Sequence, residues 1–236
     1  MADVPVALEA VIFDVDGTLV DSERDGHRVA FNAAFEAAGL PDRWDVETYG
    51  QLLRVAGGEQ RLAFWFESTG RSRGEALDLA QRLHRRKTQY MQALVTEGAI
   101  QARPGVRRLL DMLETNGIAL HVATTGTRAW VEPLLHGVFG SRFHTIVTGT
   151  EVPQLKPDPA VYERVLQLTC HRPGAAIAVE DSANGVRAAV AAGLRCVAVP
   201  NAYTRDDDLA RATLVADGPD DPVLVRWFQR QLAGGG

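Results

Sequence analysis

Apolar positions along the chain change their rhythm twice. The run Ala10-Val11-Ile12-Phe13-Asp14-Val15 is a short block of β-forming side chains closed by carboxylates and a glycine, which predicts a buried strand stopping at Gly17. Ser22 then reads as a helix N-cap, with Val29, Ala30, Ala33, Ala34 and Ala37 on helical spacing and Gly39 as the stop. Helical patterns recur over 45–55, 59–68 and 73–97, broken at Gly57-Gly58 and at 70–72, and no strand pattern interrupts 22–100. After Arg103-Pro104-Gly105 the rhythm becomes an alternation. Helices over 105–116, 128–138, 158–169, 183–192 and from about 221 alternate with strands over 118–123, 143–147, 175–179, 194–199 and near 214–215. Strands separated by helices build βαβ units and a parallel sheet, so the all-helical stretch is an insertion after the first strand. The expected class is α/β: a Rossmann-like core of 1–21 and 101–236 with a parallel sheet, carrying an inserted helical domain of 22–100. The tail Gly234-Gly235-Gly236 is expected to be disordered.

Composition narrows the function. At 236 residues, 46% hydrophobic and 23% charged, the chain has the make-up of a globular protein with a sizeable core. Its 25 basic and 30 acidic side chains give a net charge of −5, which argues against a nucleic-acid partner. No uninterrupted apolar run approaches the ~18 residues of a membrane helix, and Asp3 stands where a secretory leader would carry a basic residue. A cytoplasmic monomer with no membrane contact is expected. Cys170 and Cys196 fit neither a disulfide framework nor a zinc site and read as small core residues, with Trp44, Trp65 and Trp130 as packing residues. The basic residues are almost all arginine; Lys87 and Lys156 are the only lysines. A lysine in a chain that otherwise writes arginine marks a place for a compact point charge.

Candidate chemistry lies at the predicted strand ends, where open α/β sheets bind ligands. In Asp14-Val15-Asp16-Gly17-Thr18-Leu19 two carboxylates at i and i+2 point the same way along extended backbone, and such a pair calls for a metal ion or a shared proton. Thr124 and Thr125 close the strand 118–123 and offer a hydroxyl and free N–H groups to an oxyanion. Lys156 lies between a strand and a helix start, and Glu180-Asp181-Ser182 ends the strand 175–179 as either an N-cap or a metal edge. An aspartate nucleophile, a second aspartate, a hydroxyl, a lysine and an acidic edge are the parts of phosphoryl transfer through an aspartyl phosphate.

In these residues, in this order, the chain resembles the haloacid dehalogenase superfamily of phosphatases over its whole length. The resemblance implies that 22–100 is a cap that selects substrate. It also implies that Asp14 attacks phosphorus and that Asp16 protonates the leaving oxygen and then activates water. Thr124 and Lys156 would hold the phosphoryl group, Thr124 being chosen over its neighbouring hydroxyls. Mg²⁺ would bind Asp14, the main-chain carbonyl of Asp16, and Asp181, with Glu180 at its edge. The segments Glu23 to Asn32, Trp44 to Gly50, Val55-Ala56-Gly57-Gly58, His84 to Thr88 and Ala202 to Arg205 are similar to the CbbY-type branch, which implies hydrolysis of xylulose 1,5-bisphosphate to xylulose 5-phosphate. Within that picture Arg61, Lys87 and the main-chain donors of Gly57-Gly58 would clamp a distal phosphate. Glu23, His27 and Tyr49 would hydrogen-bond sugar hydroxyls, with Thr125 beside Thr124 also facing substrate. The rival enzyme is a β-phosphoglucomutase with the same core; a more distant rival is a phosphoaspartate receiver domain, which needs no helical insertion.

Overall fold

The computed structural model describes residues 7–233 apart from residue 56, so the expectations placed on Asp3 and on the glycine tail lie outside the described residues. The chain divides into two compact units, Met1–Asp21 with Gln101–Gly236, and Ser22–Ile100.

The first unit is a six-stranded parallel sheet. Its strands are β1 (Ala10–Phe13), β2 (Ala119–Ala123), β3 (Thr145–Val147), β4 (Ala176–Glu180), β5 (Arg195–Ala198) and β6 (Leu214–Val215), in the order β3-β2-β1-β4-β5-β6. The chain runs outward on one side of β1 and then returns to build the other side, so the strand order reverses between β1 and β4. A crevice for a ligand opens beyond the strand ends at such a reversal. Every residue of β1 and β4 is buried, as the unbroken apolar runs require of strands covered on both faces. β1 is shorter than its pattern. The carbonyl of Val15 accepts from the N–H groups of Thr18, Leu19 and Val20, so the chain turns back before Val15 can extend the ladder.

Helices α5 (Val106–Thr115), α6 (Arg128–Phe139), α7 (Ala160–Thr169), α8 (Ala183–Ala191) and α9 (Pro222–Ala233) complete this unit. Val161, Tyr162 and Val165 of α7 and Val186, Ala188 and Ala189 of α8 pack on Ile12, Ala123, Ala178 and Cys196. Cys196 is buried as expected, but Cys170 is exposed, which corrects its reading as a core residue. It follows α7 as the C-cap at φ 59°, where the chain leaves the helix and the packed face with it.

One core side chain is out of keeping with its surroundings. His121 on β2 is 3% exposed, and among the described residues neither ring nitrogen has a hydrogen-bond partner. The rings of His171 and His144 stand 5.4 and 6.0 Å away. Burial first, then His171 and His144, lower its pKa from 6.5 to about 4. Below pH 6.5 the unfolded chain takes up a proton that the folded chain declines until about pH 4. Stability is therefore lost as pH falls through that window, by about 2 kcal/mol between pH 7 and 5. Urea titrations of wild type and His121→Leu at both pH values measure it; an equal loss in the variant would assign the slope to other groups.

The second unit is helical: a π-helical turn (Glu23–His27) leading into α1 (Arg28–Ala37), then α2 (Val46–Leu52), α3 (Gly58–Ser68) and α4 (Arg73–Thr96). Ser22 precedes the π turn without a side-chain cap, whereas Ser72 and Glu75 form a reciprocal capping box that starts α4. The loop before α2 is fixed by Asn32, whose amide donates to the Trp44 carbonyl and accepts from the Trp44 N–H, each at 2.8 Å. That places Trp44 against Phe31 and Phe35 at ring separations of 4.8 and 5.0 Å, the aromatic centre of the unit.

Candidate active site

The turn that shortens β1 puts Asp14 at the sheet's reversal point, where its N–H donates to the Val179 carbonyl of β4. Glu180 closes β4 and Asp181 follows it, so neighbouring strands deliver their acids to one place. Oxygens of Asp14, Glu180 and Asp181 lie within 4.8 Å of one another, and all three residues are buried. Lys156, whose side chain is 5% exposed, enters this cluster and donates to Asp14 Oδ1 at 2.6 Å, Glu180 Oε1 at 2.6 Å and the Ala123 carbonyl at 2.8 Å. An ammonium has three N–H groups, and here each has an acceptor.

Three carboxylates against one ammonium leave the cluster short of positive charge. Burial pushes the Asp14 carboxyl well above the usual range, with Glu180 and Asp16 adding to the effect and Lys156 opposing it. Burial, Asp14 and Glu180 push Asp181 up likewise. The same two acids, against the effect of burial, hold the Lys156 ammonium above its ordinary pKa. A small divalent cation would relieve this imbalance, and an all-oxygen donor set suits a hard one. The residues present therefore fit a resident divalent ion, and Asp14, Glu180 and Asp181 are the side chains that could hold it.

Two loops are tied beneath the cluster. Asn201 Nδ2 donates to Asp181 Oδ2 at 2.8 Å and to the Gly17 carbonyl at 3.3 Å, and Thr204 Oγ1 donates to the same Asp181 oxygen at 3.3 Å. Arg103 donates to the carbonyls of Gly17, Val199 and Pro200, joining the loop after β1 to the loop after β5. Gly17 is obligatory here: its φ is +81°, and a Cβ would lie 2.4 Å from Asp181 Oδ2.

The other core candidates are distributed around this cluster. Asp16 is partly exposed and stands outside the carboxylate trio. Thr124 is buried at the end of β2, where its Oγ1 accepts from the Gly126 N–H at 3.0 Å, and Thr125 beside it is exposed. Arg103, Asn201 and Tyr162, whose hydroxyl donates to Glu180 Oε1 at 2.5 Å, are not site candidates from the sequence, and Thr204 enters there only within the segment Ala202 to Arg205, with no role of its own. Asn201 has a legible signal, since it follows β5 at the same sheet edge; Tyr162 has none, being one apolar position among several on α7.

In the helical unit the remaining candidates fall into separate groups. Lys87 is 7% exposed, with Nζ 2.7 Å from His27 Nδ1 and 4.9 Å above the Phe31 ring. Arg61, also buried, donates to the Leu52 carbonyl at 3.1 Å and to the Tyr49 hydroxyl at 3.0 Å, and that hydroxyl donates to Glu23. Gly57 and Gly58 open α3, and the His84 ring lies over Gly58. Burial and Lys87 lower the pKa of His84, which favours its neutral form beside the lysine. Both lysines of the chain are thus buried in polar networks, one in each unit.

Known proteins are similar to this chain over most of its length. Residues 8–193 match the family model for haloacid dehalogenase-like hydrolases. The chain is 44% identical to protein CbbY of Rhodobacter capsulatus, covering 87% of this chain and 91% of that one. It is 37% identical to a CBBY-like protein of Arabidopsis thaliana, covering 92% and 71%. The crystal structure of a mutant CbbY from Rhodobacter sphaeroides in complex with xylulose 1,5-bisphosphate is similar at a TM-score of 0.78 and 38% identity, covering 90% of this chain and 96% of the other.

Proposed function

The chain belongs to the haloacid dehalogenase-like hydrolases, and on that premise we propose that it is a Mg²⁺-dependent phosphatase converting xylulose 1,5-bisphosphate to xylulose 5-phosphate through a phosphorylated Asp14. The observation that carries the reading is the buried set of Asp14, Glu180 and Asp181 bridged by Lys156. The xylulose bisphosphate bound to the similar CbbY structure supports the substrate, as do the two buried cations, Lys87 and Arg61, of the helical unit.

A carboxylate oxygen of Asp14 forms a bond to phosphorus while the ester P–O bond breaks, and Asp16 gives its proton to the departing sugar oxygen. Asp16 then removes a proton from water as that water attacks phosphorus, and the Asp14–phosphorus bond breaks to release phosphate. Lys156 starts with every N–H engaged, so contact with the phosphoryl oxygens must replace one bond. Asp14 is the partner to yield, because its carboxylate charge is consumed when it becomes an acyl phosphate. A bound divalent ion would supply electrostatic stabilisation of the phosphoryl charge. Thr124 would add a hydroxyl donor, and the cations of the helical unit would read the second phosphate.

Phosphate release across sugar mono- and bisphosphates, with no bisphosphate primer added, tests the reading and separates hydrolysis from phosphomutase turnover. Chelation with EDTA is expected to silence the enzyme and Mg²⁺ to restore it. Ca²⁺ should support little turnover, since its larger and more flexible shell misplaces the phosphoryl group. Full activity in chelator would remove the metal from the mechanism.

A further inference from the structure

Tyr162 is fully buried on α7 and reaches the site through a single bond, from its hydroxyl to Glu180 Oε1 at 2.5 Å. The same oxygen accepts from Lys156 Nζ at 2.6 Å, and Nζ lies 5.0 Å from the centre of the Tyr162 ring. Glu180 Oε2 is confined from the other side by the first turn of α8: a Cβ on Gly185 would lie 1.9 Å from it. One oxygen of Glu180 is therefore filled by two donors, and the other is pressed against helix backbone. Asp14 and Asp181 carry no comparable restraint from α7 and α8. Asp181 is steadied instead by Asn201 and Thr204, both on its Oδ2.

We infer that Tyr162 is a positioning residue: its hydroxyl commits Glu180 to Lys156 and so keeps that carboxylate from competing for the divalent ion, which falls to Asp14 and Asp181. The inference rests on the proposed phosphatase reading of this site. A phenyl ring at 162 would leave one lone pair of a buried carboxylate unpaired. The cheapest repair is for Glu180 to turn toward the cation, which strengthens metal binding and takes from Lys156 the partner that aims it.

Tyr162→Phe removes one oxygen and keeps the packing. Calorimetric titration of the metal-free protein with Mg²⁺, without substrate, should show binding about threefold to tenfold tighter than wild type, while kcat on an aryl phosphate falls roughly tenfold with KM unchanged. A purely structural role would lower the active fraction and leave the Mg²⁺ affinity where it was, so an unchanged affinity overturns the inference. Should that variant fail to fold, Glu180→Gln decides the matter. It should leave the Mg²⁺ affinity within about threefold, whereas Asp181→Asn should weaken it by about thirtyfold or more, the loss of one charged ligand contact. Equal weakening by the two would make Glu180 a full ligand and overturn the inference. Wild-type protein that binds no Mg²⁺ and releases no phosphate would instead sink the phosphatase reading itself.

Discussion

Asp14→Asn is expected to abolish turnover, by at least about 10⁴-fold, and to leave no acid-stable phosphoprotein after quenching with radiolabelled substrate. The carboxylate is the only group of the cluster placed to bond phosphorus in the proposed mechanism, and an amide oxygen is too weak a nucleophile to replace it. Folding should survive the change. Burial, Glu180 and Asp16 already favour the neutral acid at this position against the pull of Lys156, so a neutral amide of the same shape costs the metal-free protein little. Thermal unfolding in EDTA should therefore give Asp14→Asn a Tm at or above that of wild type, while added Mg²⁺ should stabilise wild type more than the variant. Near-wild-type phosphate release from pure Asp14→Asn would refute its assignment as the nucleophile, and a large loss of Tm in EDTA would refute the account of its electrostatics.

The parts of this site that were legible in sequence are those that a parallel sheet brings together by rule. Asp14, Thr124 and Glu180-Asp181 each lie at the end of a largely buried strand, and strands running in one direction present their ends at one edge. Lys156 was legible for a different reason, its rarity among arginines. What sequence did not reveal depends on side chains meeting across long separations without a pattern of their own. Tyr162 sits at a core position of α7, and only the approach of α7 to β4 turns its hydroxyl into a partner of Glu180. Arg103 acts on main-chain carbonyls, which leave no trace in residue identity. In the helical unit, the packing of the π-helical turn against α4 pairs His27 with Lys87 sixty residues away, so the imidazole is already engaged by the chain's own ammonium. The turn after Phe13 ended β1 early because the Val15 carbonyl is taken up locally, a choice that the alternation of apolar side chains does not encode.

The two lysines are expected to fail in different ways. Lys156 is paired with Asp14 and Glu180, and in the proposed mechanism it faces the transferring phosphoryl group, so Lys156→Ala would remove an interaction with transition-state charge and expose two buried carboxylates to each other. Its kcat should fall by about 10³-fold on every substrate, a sugar bisphosphate or a small aryl phosphate alike, in the range of a lost oxyanion donor. Lys87 has no part in that cluster. It is held by His27 and the Phe31 ring inside the helical unit, where the proposed function has it read a second phosphate. A remote contact contributes to binding and to orientation, and a substrate lacking the second phosphate cannot use it. Lys87→Met keeps a long unbranched side chain and removes the ammonium that lies over Phe31. It should lower kcat/KM on xylulose 1,5-bisphosphate by about tenfold or more, the worth of one charge-assisted contact at roughly 1.5 to 3 kcal/mol, and leave the aryl phosphate within about twofold. Lys87→Arg should rescue incompletely, because a planar guanidinium does not fit the pocket between an imidazole nitrogen and a ring face that a compact ammonium fills. The decisive measurement is kcat/KM for both single variants on both substrates. Equal losses for Lys87→Met on the bisphosphate and the aryl phosphate would mean that Lys87 supports the fold of its unit and reads no phosphate, and the preference for a bisphosphate would have to come from Arg61 or from the main-chain donors at the start of α3.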